Sequence, residues 1–589
     1  MKYALVENTI PDISDSYIRD YLLSIGIENY RSFLSTPPES DEISPSCLDN
    51  MEKAISIFYK HITKENPKIF LVVDSDADGY TSSAIFYQLA KEINPNAEIS
   101  YYMHEGKEHG VVVESVPANT DLIVIPDAGS NQKTELTALT AKYDIIILDH
   151  HEVEEECLFE HERLAIVNNQ LSERFSNKYL CGAGVTFKFA QAFAAQHPEY
   201  NINSNKWYDL AALGIISDMM LITTCDNHYI IDKGLNNICN PMFRALLNQQ
   251  SYSVSSTTNP GPIDVAFYIT PLINGVIRMN NMQLKKDLFE GFAIPNFEET
   301  SVREFRGNVT VETFYERVAR ESYNIKNKQN NILEDVMESV SYKIEEKGLD
   351  KNKIIIYQTS INNPDEIQKT LTGLLAMKIS QKYCKPTLVL RPIKEKGVQY
   401  YRGSGRGRVA TGFNSLKDFL NESGLVEYAQ GHAMAFGASI EENNIDELVS
   451  YANTKLDVID FGENITEVNY IFHSNALNNT MLYEFAKYFT LYGNGIPQPN
   501  FAFELTLSKD QFKIMGKKAD TVSFTIGGIK FIKFTSKDLA EEISNMSDKK
   551  FYKVNVIGKP TLNEFRGVYS TQVKIDEIEI QEATLSDFI

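Results

Sequence analysis

The sequence lacks the features of a membrane-embedded or secreted protein. No run approaches about 18 consecutive apolar residues, so we expect no transmembrane helix. The first residues turn acidic at once, without an apolar signal-type segment. The six cysteines are scattered and form no CxxC pair, which argues against a zinc ribbon or a disulfide framework and favours reduced thiols. We therefore expect a cytoplasmic protein.

Basic residues are in deficit. Lys and Arg number 57 against 79 Asp and Glu, which gives a formal net charge of −22. This balance excludes a uniformly basic protein that wraps nucleic acid, although it leaves room for a local basic face. Charged residues make up 23% and apolar residues 43% of the 589 positions, as in ordinary globular proteins. The length predicts about four domains.

Short apolar runs predict the strands of a parallel sheet. Residues 69–73, 122–125 and 145–148 are apolar on both faces, and each run is followed within two residues by an Asp. Helix-compatible segments at 81–93 and 135–142 lie between them. This alternation predicts an α/β domain with a doubly wound parallel sheet.

The remaining chain suggests further domains. A charged segment free of Pro and Gly predicts a long connecting helix from about residue 308 to 346. A smaller α/β pattern follows, with a helix expected over 366–383. The last hundred residues read as an all-β barrel or sandwich, including one apolar run over 522–534. The predicted domains are an N-terminal helical and loop extension, a catalytic domain, the connecting helix, the smaller α/β domain and the β domain, at residues 1–65, 66–305, 306–346, 347–460 and 461–589.

Acidic residues and histidines cluster where the predicted strands end. Because the carboxyl ends of parallel strands meet at one edge of a sheet, we expect these side chains to lie close together. Carboxylates so crowded repel one another unless cations lie between them, and oxygen with imidazole ligands suits Mn²⁺ or Mg²⁺. Five or six such ligands favour two ions that share a carboxylate, an arrangement that serves phosphoester hydrolysis. The candidates are Asp74, Asp76, Asp78, Asp127, Asp149, His150, His151 and Asp218.

Taken singly, each of these features has another interpretation. The sequence DSDADG, at residues 74–79, also suits a calcium loop. An EF-hand would require Glu at the twelfth position, where this chain has Ile85, and a strand precedes the motif. A lone Asp127 could be a turn residue, and a pair of histidines could be structural. The joint pattern makes the metal site the favoured hypothesis.

The motifs resemble those of a known family. DSDADG, PDAGS, LDHH and ALGIISD, in that order, resemble motifs I to IV of the DHH phosphoesterase superfamily. CGAGVTFK at 181–188, PLINGVIR at 271–278, GSGR at 403–406 and GHAMAFG at 431–437 look like the RecJ single-strand-specific exonucleases. YGNGIPQP at 492–499 and EFRG at 564–567 look like the OB-fold domain of that family. The resemblance covers about residues 66–589.

The resemblance implies roles for the candidate residues. Asp74, Asp76 and Asp127 would hold one ion. Asp127 would also bridge to the second ion, whose other ligands would be Asp78, His150 and Asp218. As catalytic residues, His151 would face the scissile phosphate or support its neighbour, and Asp149 would orient His150.

A basic segment could hold the nucleic acid. Residues 351–430 contain 13 Lys and Arg against 6 Asp and Glu, and Tyr, Arg and Gly alternate over 400–408. By composition alone this could be a flexible basic hairpin. By resemblance the lobe is a DHHA1 domain, although Gln430 stands where the family usually has a glycine. The substrate contacts implied by the resemblance are Asn274, Arg278, Ser404, Arg406, Gly431 and His432.

The expected function is a metal-dependent 5′→3′ exonuclease that hydrolyses single-stranded DNA to mononucleotides by a two-metal mechanism. The polarity comes only from the resemblance, as do a setting in DNA repair or recombination and a helicase or single-strand-binding protein as partner. One alternative is an oligoribonuclease or cyclic-dinucleotide phosphodiesterase of the same superfamily. Another is an inactive DNA-binding scaffold.

Overall fold

The structure is a computed structural model that describes residues 1–6, 10–106, 108–279, 281–305, 307–462, 465–516, 518–548, 550–565 and 568–583. The chain forms two compact units: Tyr3–Tyr323 with the chain from Glu467 onward, and Asn324–Thr466. Arg566 and Gly567, half of the motif at 564–567, lie outside the described residues. None of the helices in these ranges combines the length and apolar character that crossing a bilayer requires.

The N-terminal extension is attached to the first unit through a buried lysine. Lys188, which is fully buried, donates to Glu42 Oε1 at 3.1 Å, to the carbonyl of Ile43 at 2.8 Å and to Asp226 Oδ1 at 2.9 Å. Removing one partner of such a buried ion cluster would leave an uncompensated charge, so the cluster holds the extension in place. The elements of this extension are β1 (Tyr3–Leu5), α1 (Tyr17–Ser24), α2 (Tyr30–Leu34) and α3 (Met51–Ile62).

The predicted parallel sheet is confirmed. Its elements are β2 (Lys68–Val73), α4 (Ala77–Ile93), β3 (Glu98–Met103), β4 (Leu122–Pro126), α5 (Lys133–Thr140), β5 (Asp144–Asp149) and β6 (Leu164–Asn168). The strands are all parallel in the order β3-β2-β4-β5-β6. The chain reverses its direction of progress across the sheet between β2 and β4. A crevice therefore opens at the carboxyl ends of these two strands, where ligands bind in open α/β sheets.

A group of helices completes the domain. They are α6 (Gly182–Gln196), α7 (Tyr208–Ser217), α8 (Cys225–Asn236), α9 (Pro241–Gln249), α10 (Pro262–Asp264), α11 (Thr270–Arg278) and α12 (Met282–Ala293). Every residue of α7 from Tyr208 to Ile216 is buried, including Asp209, whose carboxylate accepts from the N–H groups of Cys239 and Asn240. A single π-helical turn, Val265–Ile269, separates α10 from α11.

The connecting helix begins later than predicted. Residues 300–313 form an antiparallel hairpin of β7 (Thr300–Phe305) and β8 (Asn308–Thr313), with Gly307 at φ +78° in its turn. The β-branched residues Val309, Thr310 and Val311 favour a strand over the predicted helix. The helix α13 (Phe314–Glu346) follows with 33 residues.

The second unit contains a mixed five-stranded sheet. Its elements after α13 are β9 (Ile355–Gln358), α14 (Thr372–Tyr383), β10 (Thr387–Glu395), β11 (Val398–Arg406), α15 (Leu416–Glu422), β12 (Tyr428–His432), β13 (Ala435–Glu441) and α16 (Ile445–Lys455). The strand order is β12-β13-β11-β10-β9, and only β9 and β10 are parallel. The helix predicted from Glu366 begins instead at Thr372. Glu366 ends a 3₁₀ turn and pairs with Lys343 and the Tyr357 hydroxyl.

The C-terminal part forms a seven-stranded sheet, in agreement with the predicted β domain. The strand β14 (Thr466–Val468) pairs with β1 outside this sheet. The other elements of this part are β15 (Tyr470–Phe472), α17 (Asn479–Lys487), β16 (Phe501–Ser508), β17 (Lys513–Met515), β18 (Thr521–Ile526), β19 (Ile529–Lys533), α18 (Lys537–Asn545), β20 (Phe551–Phe565) and β21 (Val568–Glu582). The strand order is β15-β16-β20-β21-β19-β18-β17. The run over 522–534 is two strands, because Gly527 and Gly528 adopt φ +56° and +83° and turn the chain.

Candidate metal centre and nucleic-acid contacts

The acidic residues converge at the crevice of the parallel sheet. Asp74 follows β2, Asp127 follows β4 and Asp149 ends β5. Asp127 has a left-handed backbone, with φ +62°, which is costly for a residue with a side chain. This backbone strain at the crevice is typical of a functional site.

Helix N-termini position two further carboxylates. Asp76 caps α4 and accepts a hydrogen bond from the Gly79 N–H at 3.0 Å. Asp78, in the first turn of α4, accepts from the N–H groups of Gly182 at 2.7 Å and Ala183 at 3.0 Å. These two N–H groups begin α6, whose dipole favours a negative charge at this end. The segment 181–188 therefore contributes directly to the site.

Glycines allow these elements to approach one another. A Cβ on Gly182 would lie 2.5 Å from Asp127 Oδ1, and one on Gly214 would lie 2.3 Å from Asp78 Oδ1. A Cβ on Gly79 would lie 2.6 Å from Asp74 Cβ. Sequence reasoning did not identify these glycines as part of the site, although all three lie inside the quoted motifs.

His150 lies at the centre of the cluster. Its Nε2 is 3.2 Å from Asp127 Oδ1, 3.5 Å from Asp218 Oδ2 and 4.0 Å from Asp78 Oδ2. The buried Asp127 Oδ1 receives no hydrogen bond from the described residues. In three overlapping groups the ligand-type atoms all lie within 4.8 Å of one another. The groups are Asp74, Asp76 and Asp127; Asp78, His150 and Asp218; and Asp127, His150 and His151.

The electrostatics of the cluster favour bound cations. Burial, together with the charges of Asp74 and Asp78, raises the pKa of Asp76 to about 6. Burial and the charges of Asp78 and Asp76 raise the pKa of Asp218 to about 8, and the pKa of Asp127 is raised for the same reasons. Burial lowers the pKa of His150, which favours a neutral imidazole that can coordinate an ion. This donor set and the unsatisfied Asp127 oxygen fit hard divalent cations.

Asp149 contacts both histidines of the cluster. Its Oδ1 lies 2.7 Å from His151 Nδ1 and accepts from the N–H groups of both histidines, while Oδ2 accepts from Ser130. Asp149 therefore contacts His150 through the backbone N–H and His151 through its ring, and the orientation of His150 by Asp149 stays a prediction. Burial by itself would lower the pKa of His151, but the hydrogen bond and charge of Asp149 outweigh it and raise the pKa to about 9.

His109 is a further member of the site that sequence reasoning missed. Its Nδ1 lies 2.6 Å from Asp74 Oδ2, and the Gly110 N–H donates to Asp74 Oδ1 at 3.1 Å. The hydrogen bond to Asp74 raises the pKa of His109. Because His109 lies in an irregular loop 35 residues after Asp74, no local pattern connects the two.

In the second unit, Ser404 and Arg406 lie beside the start of α14. Ser404 Oγ is 2.9 Å from Thr372 Oγ1, and a Cβ on Gly373 would lie 2.8 Å from Arg406 Nη2. The Arg406 guanidinium donates to the Gly405 carbonyl at 2.7 Å, and burial lowers its pKa. In the described part of the chain it forms no ion pair with a carboxylate.

The other predicted substrate contacts are separate features. Gly431 has φ +127° in β12, and the neighbouring His432 is exposed. Asn274 and Arg278, four residues apart on α11, are half-buried on one face of that helix. They belong to the first unit, as does the carboxylate cluster.

Comparison with known proteins identifies the class first. Residues 68–215 match the model of the DHH family, N-terminal domain, and residues 473–577 match that of the RecJ OB domain. The parallel sheet and the acidic site therefore belong to a DHH domain. The chain belongs to the family of RecJ-like single-stranded-DNA-specific exonucleases.

Individual relatives span nearly the whole chain. A protein of Bacillus subtilis (strain 168), whose name provisionally assigns it as the SPbeta prophage-derived single-strand DNA-specific exonuclease YorK, is 32% identical over 587 residues and covers 98% of each chain. The single-stranded-DNA-specific exonuclease RecJ of the same organism is 22% identical, covering 95% of this chain and 67% of its own. The crystal structure of Thermus thermophilus RecJ in complex with Mn²⁺ has a TM-score of 0.65 at 18% identity, covering 96% of this chain and 76% of that one, and so shows the shared fold.

Proposed function

We propose that this protein is a metal-dependent 5′→3′ exonuclease that hydrolyses single-stranded DNA to mononucleotides with two divalent ions. The observation that carries the proposal is the convergence of five carboxylates and one imidazole around the unsatisfied Asp127 oxygen. The match to the RecJ OB domain supports a nucleic-acid substrate in preference to a small nucleotide. The 5′ polarity rests on family membership alone, as does a role in DNA repair or recombination with a helicase or single-strand-binding protein.

Two Mn²⁺ or Mg²⁺ ions would be held by the cluster, with Asp127 shared between them. When bound, such ions activate water and stabilise the charge of an in-line displacement at phosphorus. Thermus thermophilus RecJ has crystal structures in complex with Mn²⁺ and with Mg²⁺, which makes both ions candidates here. The proposed ligands are Asp74, Asp76 and Asp127 for one ion and Asp78, Asp127, His150 and Asp218 for the other.

The chain's own groups would prepare and orient the phosphodiester. The hydrogen bond and charge of Asp149 raise the pKa of His151, and in its protonated form this imidazole would donate a hydrogen bond to a phosphate oxygen. The N–H groups of Gly182 and Ala183 hold Asp78 in place.

The proposed substrate contacts divide between the two units. In the second unit, Arg406, Ser404 and His432 would bind phosphate oxygens, and Gly431 would allow the backbone to turn beside them. Asn274 and Arg278 of the first unit would contact the terminal nucleotide. Arg406 suits this role because no carboxylate among the described residues neutralises it.

Labelled single-stranded DNA tests the proposal. With Mn²⁺, a 5′-labelled strand should release labelled mononucleotide at once, whereas a 3′-labelled strand should shorten progressively, and a chelator should stop both. Asp127→Asn should lower the cleavage rate at least about 100-fold. Asp121→Asn is the matched control, because Asp121 lies at the other end of β4 and pairs with Lys64.

Three results would contradict the proposal in different ways. Release of mononucleotide from the 3′ end would reverse the polarity. Cleavage only of oligonucleotides of a few residues would favour the small-substrate alternative. Binding without cleavage under any divalent ion would favour the inactive scaffold.

A further inference from the structure

A groove with a largely apolar lining lies beside the proposed metal ligand Asp218, and its lining includes Ile216 and Met219 on either side of that residue in the chain. It encloses about 500 Å³ within the first unit, between the end of α7, the turn at α10 and residues 493–500 of the β domain. A second cavity of about 400 Å³ shares Ile263, Phe267, Gln498 and Lys559 with the first and continues along β20 and β21. We call the two together the Phe267 groove. Their volumes are in the range of ligand sites, about 300–1,000 Å³.

Two large apolar side chains are exposed to solvent in this groove. Met219 is 55% exposed and Phe267 is 68% exposed, although large apolar side chains are normally buried. Both have unusual backbones: Met219 is left-handed with φ +55°, and Phe267 lies in the π-helical turn. Strained residues and π-turns concentrate at functional sites, so the exposure of these two side chains points to a ligand.

Residues 493–495 hold the wall of the groove next to the metal centre. The Ile222 N–H donates to the Asn494 carbonyl at 3.0 Å, and the Asn494 side-chain amide donates to the Met219 carbonyl. A Cβ on Gly493 would lie 2.7 Å from Ile222 Cδ1 and 3.2 Å from Pro262 Cβ, so the turn packs closely on both residues. The groove is therefore a formed feature of the first unit and not a loose gap.

The polar groups of the groove are amides and two lysines, whose charges are balanced by Asp264 and Asp576. Lys559 and Lys574 line its far part, in a chain with a net charge of −22. Asp576 lies 3.8 Å from Lys559 Nζ, while Asp264 uses its carboxylate to accept from the N–H groups of Gly261 and Ser255. The near part presents apolar side chains with an amide rim of Asn494, Gln498 and Asn500. Apolar surface with amides and lysines matches bases joined by phosphates.

We propose that the Phe267 groove binds unpaired nucleobases of the strand whose phosphodiester lies at the metal centre, with Phe267 as the stacking platform and Met219 packing beside it. The Cα atoms of Met219 and Asp218 are about 3.8 Å apart, so a base at Met219 would belong to a nucleotide close to the reacting phosphate. A base must be unpaired to enter, which makes the groove a determinant of single-strand specificity. This inference rests on the proposed function and adds the base contacts to it.

An abasic-site scan tests the groove. A series of 12-nucleotide strands, each with one abasic site at positions 1–6 from the 5′ end, is bound to the full chain in chelating buffer, where no hydrolysis is expected. Wild type should lose affinity at one or two positions. Phe267→Ala should bind the intact strand about 5- to 100-fold more weakly and should show no further loss at those positions.

Two variants control the scan. Phe267→Tyr keeps the ring and should keep the wild-type pattern. Tyr252→Ala removes a fully exposed aromatic side chain outside the groove and should bind as wild type does.

The outcomes distinguish a failure of the groove proposal from a failure of the proposed exonuclease function. If wild type binds and cleaves single strands and Phe267→Ala binds the intact strand as tightly as wild type does, the Phe267 groove does not bind the bases. A protein partner then becomes the proposed occupant of the groove. The proposal is also overturned if the loss of affinity caused by Phe267→Ala simply adds to the loss caused by an abasic site at every position. If wild type shows neither metal-dependent cleavage nor binding, the proposed function itself fails first.

Discussion

Small residues determine how closely the carboxylates of the site lie to the helices around them. Gly214 is inside α7, where glycine normally costs about 1 kcal/mol relative to alanine. Close packing explains why glycine occupies this position, because a Cβ on Gly214 would lie 2.5 Å from the Ala183 Cβ as well as close to Asp78. The site therefore depends on missing side chains as well as on charged ones.

Replacing Gly214 should disturb the metal centre. We expect Gly214→Ala to destabilise the protein by about 1–3 kcal/mol and to lower Mn²⁺-dependent cleavage at least about tenfold, because Asp78 or α7 must shift. Urea unfolding and a nuclease assay would measure both effects. Gly291→Ala is the control, since the nearest atom there is the flexible Met242 Sδ at 2.7 Å. Equal behaviour of the two variants would contradict the prediction.

A histidine outside the carboxylate cluster should make stability depend on pH. His228 on α8 packs on Phe33 with ring centroids 4.6 Å apart, and burial lowers its pKa to about 4. Between about pH 6.5 and 4 the unfolded chain binds this proton and the folded chain does not, so stability falls as the pH falls through that window.

Comparing two pH values isolates this effect. We expect wild type to lose about 1–2 kcal/mol through His228 between pH 7 and pH 5, allowing for its partial exposure. His228→Phe should lose correspondingly less over the same interval in urea titrations. A pH dependence identical to that of wild type would rule out His228 as a source.

At the scale of elements, one turn docks the β domain on the catalytic domain. The turn at residues 493–496 packs on the loop after α7, and Gly495 has φ +95° with a prospective Cβ 2.8 Å from Thr223 Cγ2. This docking places the end of α7, and with it Asp218, against a fixed support.

A pair of glycine variants separates docking from backbone strain. Gly495→Ala should cost about 2–3 kcal/mol, because it adds a clash to the strain of a left-handed backbone. Gly528→Ala should cost only about 1 kcal/mol, since Gly528 has φ +83° but no atom of the described residues lies within 4 Å of a prospective Cβ. Thermal unfolding of both variants measures these losses of stability. Equal losses would show that the turn at residues 493–496 does not need close contact with the loop after α7.

At the scale of the whole molecule, the local pairing of charges indicates which cations can bind phosphate better than the net charge of the chain does. Arg402 and Arg406 lie on the same strand, β11, but Arg402 pairs with Glu395 at 2.5 Å and Glu427 at 3.1 Å. Of these two arginines, only Arg406 is left to neutralise a phosphate.

The salt dependence of binding should distinguish the two arginines. Arg406→Ala should weaken binding of single-stranded DNA and reduce the slope of log affinity against log salt by about 0.7, the value for one phosphate contact on a single strand. Arg402→Ala should leave the slope unchanged, because its charge is already neutralised. Fluorescence anisotropy at several salt concentrations would measure both slopes. A smaller slope for Arg402→Ala, with no change for Arg406→Ala, would show that Arg402 and not Arg406 contacts phosphate.

Much of the architecture follows from local patterns. The strands near 69–73, 122–125 and 145–148 and the helix Met51–Ile62 were predictable because apolar periodicity is a property of neighbouring residues. The start of α13 was predicted wrongly, because the absence of Pro and Gly was given more weight than the β-branched residues 309–311, which pair with β7.

By itself, the sequence determined which residue types stand at the strand ends, and hence the chemistry available there, because carboxylates and imidazoles keep their ligand character in any fold. Only the tertiary structure decided which of them meet. The pairing of Asp149 with His151, the contact of His109 with Asp74 and the exposure of Phe267 in its groove are examples. Such contacts depend on distances between groups set by side-chain packing and on segments far apart in the chain, which no local pattern encodes.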